Sequence, residues 1–394
     1  VDTEDGERYL DFSSGLGVLN IGHNHPRVVA AAREQTERFI HTGGIYYNET
    51  TVQAAEQLLS VTPPGIDMLF FSNSGAEAVE GALKLARHVT ARQGVISFTH
   101  AFHGRTLGAV SITTSSSAYR KGYHPLIPSV YQAPYPYCYR CRFGNRPETC
   151  GLSCLGCLED VLTHQIPAEE VAAIIIEPFL GEGGYFPAPA TFLCSLRELC
   201  DRHGILLIFD EVQSGMGRTG RWFAAEHAGV EPDIMTVAKG IASGFPLSAV
   251  AAGRNLMERW PSGAHGTTFG GNPVSCAACS ATIDVIRDEG LLEQASVRGA
   301  AVLDRLRPFA EAHPLVGQVR GHGYMIGIEF VDYDGAPNGA ACARVLDHCL
   351  EHGLILIGCG LERNVIRFIP PLTVSRDQLD HALGILEAGI ARLS

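Results

Sequence analysis

The chain has no apolar stretch long enough to cross a bilayer, which argues against a helical membrane protein. It has no basic stripe either. Its 30 Lys and Arg stand against 42 Asp and Glu, and the net charge of −12 argues against nucleic acid as a partner. No signal peptide, internal repeat or low-complexity tract is visible. The chain opens on Val1 rather than methionine, so what precedes it stays open. What is present is ordinary for a soluble globular enzyme: 394 residues, 46% hydrophobic and 18% charged, enough for a large core and more than one domain.

Twelve cysteines without a leader imply a reducing, cytoplasmic setting rather than a disulfide scaffold. Cys194, Cys200, Cys276 and Cys279 are scattered and read as small buried residues. The crowd between Cys138 and Cys157 is a separate matter.

The chain is organised around Gly204 to Gln213. Ile205 to Phe209 is an unbroken apolar run, as in a strand buried on both faces of a parallel sheet, and Asp210 and Glu211 stand at its carboxyl end. A second run, Ile234 to Ala238, ends in Lys239-Gly240. In open α/β sheets ligands bind at such ends. An acid and a lysine placed there suit a pyridoxal phosphate enzyme: the lysine forms the Schiff base and the acid keeps the ring nitrogen protonated. For either residue alone, a buried structural ion pair is the better explanation.

Further strands are expected at Met68 to Phe71, Val95 to Phe98, Ala172 to Ile176 and Leu247 to Ala252, alternating with helices such as 75–92 and 189–203. This predicts an α/β fold, one doubly wound sheet with helices on both faces. Beyond Asn272-Pro273 the pattern becomes α+β. The expected division is a large domain at 41–275 and a smaller one built from 1–40 and 276–394.

Chemistry-bearing residues gather at the predicted strand ends. Ser74-Gly75-Ala76-Glu77 opens a helix and suits a phosphate, although Ser74 and Glu77 also form a plain capping box. Phe102 could stack on a flat ring, with His103 beside it, and Arg105 could hold a carboxylate through its planar fork. Glu177 and Glu182 flank a Gly-rich turn. Arg367 lies inside an apolar strand, where it needs a carboxylate or a ligand. Thr267 to Pro273 is a turn whose hydroxyls could reach a phosphate, and a turn alone explains it equally well.

With these motifs the sequence resembles the class III, pyridoxal phosphate-dependent aminotransferases, nearest to 4-aminobutyrate (GABA) aminotransferases. The likeness runs from Tyr9-Leu10-Asp11-Phe12 past Arg367. It rests on Ser74 to Ala78, Phe102 to Thr106, Ile176-Glu177-Pro178 with Gly181 to Gly184, Asp210 to Gln213, Lys239-Gly240 and Thr268 to Pro273. The resemblance implies the type I fold, with a mixed, mostly parallel sheet in the large domain and a smaller α+β domain.

In that family Lys239 would form the Schiff base and shuttle the proton, and Asp210 would pair with the ring nitrogen. Val212 would pack on the ring, Gln213 would bond its hydroxyl, and Gly75 and Ala76 would bind the phosphate. Phe102 would stack on the ring with His103 beside it, and Glu177 would stand at the cofactor's edge. Thr268 would reach the phosphate of a partner subunit's cofactor, which implies a homodimer, or a dimer of dimers, with shared sites. Arg105 would hold the carboxylate remote from the reacting amine. Glu182 would mask Arg367 for ω-amino acids and release it for glutamate or 2-oxoglutarate. Leu16 would form the pocket wall, with Tyr46 and Tyr47 near its mouth. The implied reaction is ping-pong amino transfer from an ω-amino acid to 2-oxoglutarate. Alternatives are a racemase or epimerase, an acetylornithine-, lysine- or diamine-type aminotransferase, and an inactive or metal-bearing scaffold of the same fold.

The segment Tyr131 to Leu158 departs from the family pattern. Cys138 and Cys141 at C-x-x-C spacing, followed by Cys150 and Cys154, look like a zinc or iron–sulfur site, and free thiols or a redox-formed bridge are the alternative.

Overall fold

The computed structural model describes residues 1–393. The long elements follow the apolar pattern. The main strands are β1 (Met68–Ser72), β2 (Gly94–Phe98), β3 (Val130–Ala133), β4 (Val171–Ile176), β5 (Leu206–Asp210), β6 (Ile234–Val237) and β7 (Ser248–Ala252). They form one sheet in the order β1-β7-β6-β5-β4-β2-β3. Neighbours in β6-β5-β4-β2-β3 pair parallel, whereas β7 pairs antiparallel with both β1 and β6. The mixed, mostly parallel sheet expected from the resemblance is therefore present.

Side-chain alternation explains why these strands read as unbroken apolar runs. Ile174, Ile176, Leu207 and Phe209 enter the core on one face of the sheet, and Ala173, Ile175 and Ile208 enter the core on the other. Helix α3 (Gly75–Thr90) covers the second face with Val79, Leu83 and Ala86. Helix α5 (Ala190–His203) covers the first with Phe192, Leu196 and Leu199. The earlier helices are α1 (Pro26–Arg38) and α2 (Glu49–Leu59), and α4 (Ser153–His164) lies between α3 and α5. The sheet is doubly wound, and α4 falls inside the cysteine-rich segment, where the sequence shows no clear period.

After α6 (Pro273–Asp288) and α7 (Leu291–Ala312) the chain builds a second sheet. Its strands β8 (Val316–His322), β9 (Met325–Phe330), β10 (Ile357–Cys359) and β11 (Val365–Phe368) run antiparallel in the order β8-β9-β11-β10. Helices α8 (Gly339–Glu351) and α9 (Arg376–Ala391) pack with it, completing the α+β half. No helix among the described residues is long and apolar enough to cross a membrane.

Of the scattered cysteines, Cys200, Cys276 and Cys279 are buried as expected. Cys194 is not. It lies on the solvent side of α5, two residues from buried Phe192 and Leu196, so the helical period turns it outward.

Candidate active site

The carboxyl ends of β1, β2, β4, β5 and β6 all open into one cavity of about 620 Å³. Because β7 runs the opposite way, its amino end lies at the same edge and brings Gly244 to Leu247 to the rim. Arg367 enters from β11 in the other sheet, so the cavity lies where the two halves of the molecule meet.

Asp210 ends β5 with its carboxylate facing the cavity. His103 Nδ1 lies 2.7 Å from Oδ2, and Oδ1 accepts from the Val212 amide and the Thr236 hydroxyl. Burial opposes charge on His103, yet the hydrogen bond and charge of Asp210 hold its pKa above the ordinary histidine value. Asp210 is thus held in a defined direction. Glu211 behaves differently: it is fully buried and accepts from Ser214 Oγ and from the amides of Ala224 and Ala225. Burial pushes its pKa up to about 7 against those bonds. Of the two acids at this strand end, only Asp210 serves the cavity.

Lys239 follows β6 in a left-handed conformation, φ +47°, a sparsely populated region for a side-chain-bearing residue and one that clusters at functional sites. Its Nζ makes no hydrogen bond among the described residues. Burial, reinforced by the positive charge of Arg367, lowers its pKa to about 8. An amine in that state is a usable nucleophile and base near neutrality.

The corner before α3 is an anion cradle. The Ser74 hydroxyl accepts from Glu77 N, but the Glu77 carboxylate accepts from the Asn73 amide rather than from Ser74 N, so only half of the expected capping box is made while Gly75 and Ala76 face the cavity. A Cβ on Gly75 would lie 2.9 Å from Val212 Cγ1, so only glycine leaves that approach open. Val212, Gln213 and Phe102 line the remaining walls. Gln213 Oε1 is buried without a partner, a polar atom aimed at something yet to be bound. Glu177 accepts from the amides of Phe102 and Gly181, which fixes both loops. Burial raises its pKa to about 7, with His103 opposing and Asp210 adding to the shift.

At the outer end, Arg105 is exposed and lies 4.8 Å over the Tyr119 ring and 5.8 Å from that of Phe102. Arg367 is 5% exposed and pairs with Glu182. Burial opposes its charge, but Cys359, Tyr185 and Glu182 together keep its pKa raised. Tyr119 donates to Glu182 Oε1 at 3.3 Å, so one tyrosine touches both the arginine at the mouth and the carboxylate masking the inner one. Nothing in the sequence marks it, because it sits in a short turn at Ser117–Tyr119 within a serine tract, away from any strand end. Leu16 lines the wall, 60% exposed and left-handed at φ +68°. Thr268, Tyr46 and Tyr47 are exposed and outside this cavity. Cys138, Cys141, Cys150 and Cys154 line a different one.

The profile of the class-III aminotransferases matches residues 1–390. The chain belongs to the class-III aminotransferases. It is 39% identical over 390 residues to a probable 4-aminobutyrate aminotransferase of Bacillus subtilis, a match covering 98% of this chain and 89% of the relative. It is also 37% identical to an alanine/serine racemase of Pyrococcus horikoshii, over 99% of this chain and 83% of the relative. An amine transaminase from an uncultivated Pseudomonas species, solved with pyridoxal phosphate bound, superposes with a TM-score of 0.94 at 33% identity, covering 100% of this chain and 93% of that one. The architecture is the type I fold, and class-III aminotransferases use pyridoxal 5'-phosphate. The residues present fit that group: a cradle kept open by Gly75, an orphaned Gln213 oxygen, a fixed carboxylate at Asp210 and an unpaired amine at Lys239.

Proposed function

We propose that this class-III aminotransferase moves the amino group of an ω-amino acid of the 4-aminobutyrate kind to 2-oxoglutarate, in two half-reactions of a ping-pong cycle. The observation that carries the reading is the pairing of Glu182 with buried Arg367 in a cavity whose mouth holds a second, exposed arginine, Arg105. Two cations of which one is masked suit an enzyme that takes one substrate with a single carboxylate and another with two.

Pyridoxal phosphate bound there supplies the electron sink. Gly75 and Ala76 would take its phosphate at the α3 N-terminus, Gln213 would take its ring hydroxyl, and Val212 and Phe102 would enclose the ring. Asp210, oriented by His103, holds a proton at the ring nitrogen, and Glu177 fixes the loop carrying Phe102. Lys239 Nζ would hold the cofactor between turnovers. With a substrate amine bound it would take the proton from the carbon bearing that amine and deliver it to the cofactor's C4′ carbon within the same half-reaction, the second half-reaction running this transfer in the opposite sense. Arg105 holds the remote carboxylate of the ω-amino acid while Glu182 keeps Arg367 neutralised. A dicarboxylic substrate displaces Glu182, and Arg367 takes its α-carboxylate, so no buried charge is left unpaired in either half-reaction.

The same reading places the large domain at 41–275, with 1–40 and 276–394 forming the small one, and makes the enzyme a cytoplasmic homodimer. Support for the dimer comes from Ile45, Tyr46, Tyr47 and Phe269. These are exposed apolar side chains on segments joined by the bond from Asn272 to the Ile40 carbonyl and by the His41–Phe269 contact. Thr268 stands on that face, free to reach a neighbouring subunit's phosphate site. A panel of amino donors with 2-oxoglutarate or pyruvate as acceptor tests the assignment. Activity with pyruvate and none with 2-oxoglutarate refutes the role of Arg367, and inversion of an amino acid without any keto acid would make the protein a racemase.

A further inference from the structure

We infer that Cys138, Cys141, Cys150 and Cys154 form a tetrathiolate site for one zinc ion, separate from the catalytic cavity. All four are free, and all four line a single cavity of about 360 Å³. Two chain segments bring them together. Cys141 opens a turn closed by the bond from Gly144 N to Cys141 O, and Cys138 lies three residues before it. Cys150 and Cys154 flank the start of α4, where Gly151 and Leu152 are both left-handed and Ser153 N donates to Cys150 O. A C-x-x-C pair combined with a second pair is a donor set that suits zinc.

Three observations about the surroundings point the same way. First, residues 134–152 form neither helix nor strand, and structureless loops of that length are uncommon in compact domains unless a function or a ligand holds them. Second, the charge balances. Zinc with four thiolates carries a net −2, and Arg142 lines the same cavity beside Arg140, whose charge also pairs with Glu329. Arg140 Nη2 is buried with no acceptor, a donor free for a thiolate sulfur. Third, all four thiols are half-buried and none is paired in a disulfide. Binding releases four protons to solvent and involves no redox change. The sulfurs have yet to close on a centre: among the described residues only His348, Glu351 and His352 have donor atoms within 4.8 Å of one another. At that triad Arg392 Nη1 lies 3.3 Å from His348 Nδ1 and opposes a cation.

The site has a structural consequence. The loop anchors on the other half of the molecule through Tyr137 and Arg140, which bind Glu329 of β9, and on its own half through Tyr137 stacked on Phe186 at 4.0 Å. Zinc would staple the strap that joins the two halves.

Elemental analysis of reduced, desalted holoenzyme from zinc- and iron-replete cells tests this. The expected result is about one zinc per protomer, retained in Cys157→Ser and lost in Cys138→Ser/Cys150→Ser. Because that double variant can misfold, thiol titration of the wild type with and without a chelator gives a second reading: chelation should expose about four more reactive thiols. Zinc below about 0.1 per protomer after equilibrating the reduced protein with Zn²⁺ overturns the proposal, as does one iron in its place or an unchanged thiol count.

Discussion

Replacing Glu182 with alanine removes the mask from Arg367 and isolates the specificity device. On the proposed function, a dicarboxylic substrate must first open the Glu182–Arg367 pair, whereas an ω-amino acid leaves it closed. Close charge pairs couple by about 1.5–7 kcal/mol, and burial decides where in that range a pair falls. The Arg367 side chain is 6% exposed but that of Glu182 is 29% exposed, so solvent screening puts this pair near the lower end, at about 2 kcal/mol. That corresponds to roughly 30-fold in a rate ratio. In Glu182→Ala the ratio of kcat/KM for glutamate to that for 4-aminobutyrate should therefore rise about 30-fold. Part of the change should appear as slower 4-aminobutyrate turnover, because an unmasked Arg367 can hold its single carboxylate the wrong way round. Single-turnover half-reactions followed through the cofactor absorbance, one donor at a time, measure this without interference from the second substrate. A ratio within about twofold of the wild type, or an equal loss with both donors, refutes the argument.

With Lys239 lowered to about 8, reconstitution of apoenzyme with pyridoxal phosphate should speed up about tenfold per pH unit below that value and level off above it. The folded pKa lies below the ordinary 10.5, so the stability penalty of burying the ammonium is complete below pH 8 and fades as pH rises toward 10.5. A rate flat across this window would contradict the assignment. Asp210→Asn should lower kcat by about 10²-fold or more and drop the His103 pKa, read by NMR. The raised His103 pKa stabilises the wild type below pH 6.5, and that contribution is lost as pH rises through the folded value, so the variant's stability profile should be flatter there. An unmoved His103 titration would show that the contact is idle. Gly299→Ala should cost about 1–3 kcal/mol in denaturant unfolding, because its Cβ would lie 2.1 Å from the Gly323 carbonyl oxygen, and backbone there cannot step aside as a side chain can. An unchanged midpoint would mean that α7 can shift as a body.

The sequence carried the large sheet because its strands are buried on both faces. Ile205 to Phe209 and Ile234 to Ala238 could be located from composition alone, and so could the acid and lysine at their ends. Strand β8 was not legible: Gly317, Gln318, Arg320, Gly321 and His322 break any apolar period. Arg320 is nonetheless buried, because Glu329 stands 2.7 Å away, and pairing across strands cannot be seen from one segment. For the same reason Glu211 read like Asp210, although one serves the cavity and the other an internal turn. Tyr119 was missed because its role depends on Arg105 and Glu182 converging from distant loops.

That convergence reaches beyond the cavity. Glu329 is 1% exposed and takes Tyr137 and Arg140 from the cysteine-rich loop together with Arg320 from β8. Burial works against its charge, but Arg320, Tyr137 and Arg140 outweigh it and lower its pKa, so it stays ionised. Arg320 in turn donates to the carbonyls of Gly184 and Tyr185, at 2.6 and 2.9 Å. Glu182 lies two residues before Gly184, so the backbone carrying the mask of Arg367 is held by a buried ionic network whose far end is the cysteine-rich loop. A carboxylate that must open and close against a buried arginine needs a base that does not move with it. The network supplies that base from three separate stretches of chain, so on the proposed function loosening the cysteine loop should alter the glutamate to 4-aminobutyrate preference as well as stability.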